Sequence, residues 1–449
     1  MRLNATKADK KEIRFAWCFA LVVWSLAAVG AVATTPSIAG VTRSGSSCSL
    51  YVSPTGRYSA SGRSPGDPTS LRAARQRTKP GTVVCIRGGT YGISSPFYVS
   101  RSGAAGKPVV FRSYKGRAVI KWKGSRPPLG SSYAVLQVGS HTHHIAFRGL
   151  VIHGANRASS GVKCDTGAHH LVIRGSIIRN TGAAGVITKR CDYVKLLHNL
   201  IWHTGYDPNR GWSSGIALNT NVWSDRRASF HNFVIGNVIS GASDESSNHT
   251  EGHGIILDRG GDVPPVLVAN NLVYENGNHC IDVFLSDNAW IVNNTCYKNG
   301  LDLRTPQSGE IIINGAGVSN VHVINNVVWA WNPNYPYQLV NGATAAFSHN
   351  IAYGGITSQL PERVLANLRQ IKPRFRNPPD VDPDLDQQQR TALRPWDVGL
   401  RFLGRPTSPL IDGGARPRNM PKRAQYVLRD LRGRLRPRGA GWDIGAYEQ

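Results

Sequence analysis

Leu267-Val268-Ala269-Asn270-Asn271-Leu272-Val273 and Ile291-Val292-Asn293-Asn294-Thr295-Cys296 share one pattern: an apolar run, a polar break that ends in Asn, and a second short apolar run. The pattern recurs on both sides. Upstream it reads Val172-Ile173-Arg174-Gly175-Ser176-Ile177-Ile178, Val194-Lys195-Leu196-Leu197-His198-Asn199-Leu200-Ile201 and Phe233-Val234-Ile235-Gly236-Asn237-Val238-Ile239. Downstream it reads Val323-Ile324-Asn325-Asn326-Val327-Val328 and Phe347-Ser348-His349-Asn350-Ile351-Ala352. From Ser176 to Asn199, and again from Asn271 to Asn294, the step is 23 residues, a period that marks a solenoid rather than a compact fold. Longer steps, such as Asn199 to Asn237, imply loops inserted into a coil.

Stacked strands lie about 4.8 Å apart, so an Asn at the same bend of successive coils can bond its amide to the Asn above and below. The expected fold is therefore all-β, a stack of parallel strands with an Asn ladder and almost no helix. One helical candidate, 69–77, would cover the N-terminal end of the stack. End coils need such covers because they expose core and unpaired strand edges.

The chain has 449 residues, of which 41% are hydrophobic and 18% charged, enough to bury a large core and too apolar for disorder. Arg2, Lys7, Lys10, Lys11 and Arg14 precede an apolar run from Phe15 to Ala33 that ends in Ala31-Val32-Ala33. This reads as an export signal, 1–33, cleaved near Thr34 and followed by a linker, 34–47. The alternative is a retained anchor, since the run is about one bilayer crossing long. Of seven cysteines, Cys18 lies in that run. Cys48 and Cys85 sit in or beside short β-like runs and are expected to pair; Cys164, Cys191, Cys280 and Cys296 are left as either disulfides or buried thiols. No Cys/His spacing suits a structural zinc site. The net charge of +26 implies a polyanionic partner, such as an acidic polysaccharide or an anionic cell surface. No aromatic-and-basic module for specific nucleic-acid recognition is present.

Two end motifs carry a family resemblance. Tyr51-Val52-Ser53-Pro54-Thr55-Gly56, Ser70-Leu71, Pro80-Gly81-Thr82-Val83-Val84 and Gly88-Gly89-Thr90-Tyr91 open the mature chain; Ser408-Pro409-Leu410-Ile411-Asp412-Gly413-Gly414, Asp430 and Asp443-Ile444-Gly445-Ala446-Tyr447-Glu448 close it. The set resembles secreted right-handed parallel β-helix proteins of the pectate-lyase-like superfamily. The resemblance implies an N-terminal cap and first coils over 48–130, β-helix repeats over 131–355 and an irregular closing segment over 356–449. It specifies fold more than activity, because the group includes lyases, hydrolases and epimerases.

A further strand in each coil follows a turn, usually at Gly: Gly161-Val162-Lys163-Cys164-Asp165, Gly185-Val186-Ile187-Thr188-Lys189, Gly215-Ile216-Ala217-Leu218-Asn219, Gly254-Ile255-Ile256-Leu257-Asp258, Cys280-Ile281-Asp282-Val283-Phe284 and Glu310-Ile311-Ile312-Ile313-Asn314. Alternation along a strand turns the Val or Ile after the turn inward and the intervening residues toward solvent. One outward column then reads Asp165, Lys189, Asn219, Asp258, Phe284, Asn314, with Lys163 and Asp282 in the column beside it.

A row of carboxylates, an amide and a lysine suits β-elimination from a uronate. That reaction needs a base at C5 and a cation on the neighbouring carboxylate. Lys189 is the candidate base, and Asp165, Asp258 and Asp282 are candidate Ca²⁺ ligands. Family members that pair a lysine base with Ca²⁺ have more clustered aspartates than this chain. Glu251 and Asp258 form an alternative acid and base pair for glycoside hydrolysis. Asn219, His253, His279, Phe284 and Asn314 are candidate substrate contacts, and Trp202, Tyr206, Trp212 and Trp223, in or beside the long insert, offer faces for sugar stacking. The sequence thus predicts a secreted, cell-surface or periplasmic monomer, free of the membrane once its signal is removed. Its expected role is as a lyase on acidic polysaccharide, with hydrolysis or non-catalytic glycan binding as alternatives.

Overall fold

The computed structural model describes residues 47–128, 133–305, 309–331, 333–355, 360–376, 378 and 399–449. The expected export signal and nearly all of the linker lie outside the described residues, as does part of the closing segment.

Each full coil contributes three strands to three parallel stacks. In three successive coils the first strands are Asn232–Ile235, Val266–Ala269 and Ala289–Val292, aligned through Phe233, Leu267 and Trp290. The second strands align Val238, Leu272 and Thr295; the third align Ile255, Ile281 and Ile311. This is a parallel β-helix, and right-handed crossovers are the sense that parallel connections strongly prefer. Alternate residues of each strand point to the axis, so that Val268, Ile291 and Val323 stack with no exposure, as do Ile255, Ile281 and Ile311. Each such burial contributes roughly 1.5–3 kcal/mol.

The polar breaks form the bend between first and second strands. His198, Gly236, Asn270, Asn293, Asn325 and His349 all have φ between 52° and 62°, a left-handed conformation that Gly and Asn adopt at least cost. The next residue is the ladder Asn. The side-chain amides of Asn199, Asn237, Asn271, Asn294 and Asn326 each donate to the Oδ1 of the next rung at 2.9–3.0 Å, ending on Asn350. The same Oδ1 atoms accept the backbone N–H of the rung before, and each amide also donates to a main-chain carbonyl, such as Val234 for Asn271 and Val268 for Asn294. Ser176 continues the column at its N-terminal end, its N–H donating to Asn199.

Both ends of the stack are covered. The helix Leu71–Gln76, within the expected 69–77, is capped by the Ser70 hydroxyl and buries Leu71, Ala73 and Ala74. At the other end Leu360, Val364 and Leu368 join the main core around the short helix Glu362–Leu365. The last segment, 399–449, runs back along the flank of the coils. Phe402, Leu410, Ile444 and Tyr447 pack on Leu272, Tyr274, Tyr297 and Val327, while Val427 and Trp442 pack with Phe233, Leu267 and Trp290. Asn270 bonds its amide to the carbonyls of Tyr426 and Arg429, and Asn325 bonds Ala415 through both its oxygen and its nitrogen. A buried Arg436–Glu448 pair, 2.7 Å apart, holds the segment together.

Cys48–Cys85 forms a disulfide with Cα atoms 5.7 Å apart. The four cysteines left open by the sequence also pair, as Cys164–Cys191 and Cys280–Cys296.

Candidate functional site

Several third strands begin at turns where only glycine fits, among them those at Gly161, Gly185, Gly215 and Gly254. A Cβ on Gly215 would lie 2.7 Å from the Gly254 carbonyl oxygen and 2.5 Å from the Ile239 side chain. These turns fix the register, so Lys189, Asn219, Asp258, Phe284 and Asn314 fall on successive rungs of one row. Asp282 aligns with Ile256 and, through it, with Ala217 and Ile187 in the neighbouring row.

That neighbouring row corrects an expectation. Its outward positions are not solvated: Ile187, Ala217, Ile256, Asp282 and Ile312 are all buried. Ile187, Ala217 and Ile256 cluster with Ala184, and Phe284 packs against them; beside them the inserts ahead of Gly215 and Gly254 meet, Ser214 donating to the Glu251 carboxylate at 3.2 Å. The strand period sets which way a side chain points, not what lies above it.

The inserted loop brings Glu251 over the row. His253 Nε2 lies 3.8 Å from an oxygen of Glu251 and 3.8 Å from one of Asp282. His253 and His279 stack one rung apart, ring centres 4.8 Å apart and 6° from parallel, and the His279 Nδ1–H donates to the Gly309 carbonyl. Asn219 donates its amide to Asp258, and Arg259 stands 3.6 Å from the same carboxylate. Burial, then the charge of Asp258, push the Glu251 carboxyl up to about 8 against the opposing Ser214 bond. Burial and the charges of Glu251 and Asp258 raise Asp282 well above the usual range; burial also raises Asp258, opposed by Arg259 and Asn219. His253 is held well below its ordinary value by burial and His279, and burial brings His279 down to about 4. At neutral pH the site therefore holds neutral imidazoles beside a Glu251 carboxyl that retains its proton.

Asp282 Oδ1 is buried without a hydrogen-bond partner. Ligand atoms of His253, His279 and Asp282 all lie within 4.8 Å of one another, and Glu251 and Asp258 belong to no such cluster with Asp282 among the described residues. Asp165 lies apart. It stands three rungs from Asp258, about 14 Å at ordinary strand spacing, and is tied to Lys163 at 2.8 Å and to Gln137 at 2.6 Å.

Lys189 is exposed two rungs from Asp258, with Asn219 between them. Phe284 receives the Arg259 guanidinium over its ring at 5.6 Å. Asn314 lies one rung further and accepts from Asn341 at 2.8 Å, continuing a surface amide pair away from the acids. Trp202 packs beneath Arg179, whereas Trp212 is exposed, and Tyr206 bonds the Gly241 carbonyl.

Sequence reasoning missed the residues that follow the outward row. Arg190, Thr220 and Arg259 turn the corner with φ of 54°, 48° and 51°. They line an open cleft of about 380 Å³ with Trp223, Arg226 and Asp262. Arg226 pairs with Asp262 at 2.9 Å, and the Trp223 indole donates to the Asp262 carbonyl. The signal was available: each is the residue immediately after a member of the row.

The fold is that of the parallel β-helix proteins. The crystal structure of pectate lyase Pel9A superposes with a TM-score of 0.52 at 17% identity, covering 90% of this chain and 98% of that one. By sequence, the chain is 37% identical over 71 residues to pectate lyase PEL9 of Emericella nidulans, 16% of this chain and 17% of the relative. It is 30% identical over 141 residues to the uncharacterized protein YwoF of Bacillus subtilis, 30% of this chain and 29% of the relative. The chain thus matches less than a third of the length of either curated relative. No family model matches it.

Proposed function

We propose that this protein is a lyase that cleaves an acidic polysaccharide by β-elimination at a uronate. The observation that carries the reading is the row Lys189, Asn219, Asp258, followed at its corner by Arg190 and Arg259, which line an open cleft with Trp223. Guanidinium groups beside an aromatic face suit a sugar bearing a carboxylate. Lys189 takes the C5 proton, the C4–O bond breaks as the C4–C5 double bond forms, and the leaving oxygen takes a proton from Glu251, which is held at about 8. No ion pair of Lys189 is formed among the described residues, which leaves its amine open to substrate. A cation on Asp258, beside the row, would neutralise the uronate carboxylate and acidify C5, with Glu251 left free to give its proton. The stretch similar to a pectate lyase supports the same substrate class. Three disulfides favour action outside the cytoplasm, at the cell surface or beyond. Among the described residues no helix is long and apolar enough to cross a membrane.

Hydrolysis is the second reading, favoured by Glu251 and Asp258 as a coupled carboxyl pair in which Glu251 keeps its proton. The test incubates the mature protein with pectate, alginate and related polyuronates, with and without Ca²⁺, and follows the ultraviolet absorbance of unsaturated uronate. A signal abolished by Lys189→Ala supports the lyase. Reducing ends without that absorbance overturn it for hydrolysis, and neither product overturns both in favour of glycan binding.

A further inference from the structure

A second cluster of chemistry-bearing side chains lies away from the carboxyl site, at the start of two first strands. His143–Arg148 and His169–Arg174 pair in parallel with His143 opposite His169. Adjacent residues of an extended strand point to opposite faces. Here they do not, because His144 and His170 have φ of 57° and 56°. In each strand the two imidazoles are turned to the same side and their Nδ1 atoms meet, at 2.9 Å for His143 and His144 and 2.7 Å for His169 and His170. Rings also stack between rungs, His143 on His169 at 4.9 Å and His144 on His170 at 4.4 Å. The ligand atoms of His144, His169 and His170 all lie within 4.8 Å of one another, and all three residues are half-buried, open to a small ion from solvent.

We propose that His144, His169 and His170 bind one divalent transition-metal ion, Cu²⁺ in preference to the others of its row. Imidazole donors at about 2.0 Å from a metal in a square plane sit about 2.8 Å from their cis neighbours. The Nδ1 separation within the His169–His170 pair is already of that size; the His144 ring, parallel to His170 at 4.4 Å, turns out of that stack to aim its lone pair at the same ion. For two Nδ1 atoms to meet without a metal, one ring must hold its proton there to donate. The ion takes the place of that proton, and the ring moves its own to Nε2. On the next rung His169 is followed by Asp192, which brings a carboxylate beside the imidazoles. Both Asp192 oxygens are bonded, to His231, Ser224 and the Tyr193 N–H, so it contributes charge rather than a ligand. Lys195 acts on His170 with the opposite sign, so the donor nitrogens rather than the surrounding charge must hold the ion. All-nitrogen donation favours copper over calcium or magnesium, and affinity along the row peaks at Cu²⁺.

The experiment titrates metal-stripped mature protein with Cu²⁺, and in parallel with Zn²⁺ and Ca²⁺, by calorimetry and electron paramagnetic resonance. One equivalent of Cu²⁺ with nitrogen hyperfine structure is expected, weakened by more than about tenfold in His170→Phe, which keeps the ring stack; an outer-shell contact alone commonly costs that much. His169→Gln gives a second loss should the first variant not fold, as judged by its thermal melt. His253→Phe is expected to leave Cu²⁺ binding intact. Binding lost in His253→Phe instead, binding unchanged in folded His170→Phe and His169→Gln, or no binding at all overturns the proposal.

Discussion

Two buried polar columns climb this molecule, and they follow opposite rules. In the Asn ladder every rung gives its amide hydrogens to the next Asn and to a main-chain carbonyl, and receives in return a backbone N–H and an amide from the rung before. In the acid site Asp258 and Asp282 are buried and Glu251 half-buried, yet Asp282 Oδ1 and His253 Nδ1 have no hydrogen-bond partner and the three acids oppose one another's charge. A satisfied column stabilises the stack, while an unsatisfied one holds groups away from their ordinary protonation states, as acid–base chemistry requires. The same repeat geometry therefore serves as scaffold at one face and carries the proposed site at another.

The largest expected break in this contrast is in activity. Glu251→Gln should lower turnover on the responsive polyuronate by about a hundredfold to ten-thousandfold, read as initial rate of product formation, with the thermal midpoint unchanged or higher. Asn271→Ala should do the reverse. It orphans Val234 O and the donors of Asn237, costing about 3 kcal/mol or more in denaturant unfolding while leaving the chemistry of surviving folded protein in place. Asp282→Asn sharpens the comparison in sign: at pH 8 it should leave stability unchanged or raised, since it removes a buried acid rather than a satisfied amide. A loss as large as that of Asn271→Ala would show that Asp282 is scaffold.

The smallest expected effect is the pH dependence of the thermal midpoint. Burial holds Glu310 at about 8, although it accepts from Asn299, whereas its ordinary value is 4.5. A raised acid contributes stability that is complete below 4.5 and is lost as pH rises through about 8. His153 and His203, brought down to about 4 by burial from 6.5, contribute stability above 6.5 that is lost as pH falls through 4. The midpoint should therefore be higher near pH 6.5 than at pH 9 or pH 4, and Glu310→Gln should flatten the alkaline side. A midpoint still rising at pH 9 would contradict this assignment.

The fold was legible because its determinant is local and periodic. An Asn at one bend per coil declares both the rung and the register, and Asn199, Asn237, Asn271, Asn294, Asn326 and Asn350 all stand in the ladder. The outward row was legible by the same period. Its surroundings were not, because loops are aperiodic: nothing in Ile187 or Ile256 announces the inserts that meet beside it, and nothing in Glu251 says that it returns over Asp258. Asp165 was grouped with Asp258 by residue type, but rung count separates them. The histidine pairs escaped because the residues that meet are adjacent in sequence, where an extended strand would part them; only the left-handed turn at His144 and His170 brings them together.

The closing segment carries a consequence for how the coils hold together. Coils that touch only their neighbours can form one after another as the chain emerges, and can be lost one at a time from a free end. Residues 399–449 bind coils from Phe233 to Val327 at once, and their last turn, Asp443 to Glu448, closes around Arg436. Residues 443–448 thus help to convert a row of separable coils into a single cooperative body, and a chain cut short of Asp443 would carry every rung of its ladder and still fray.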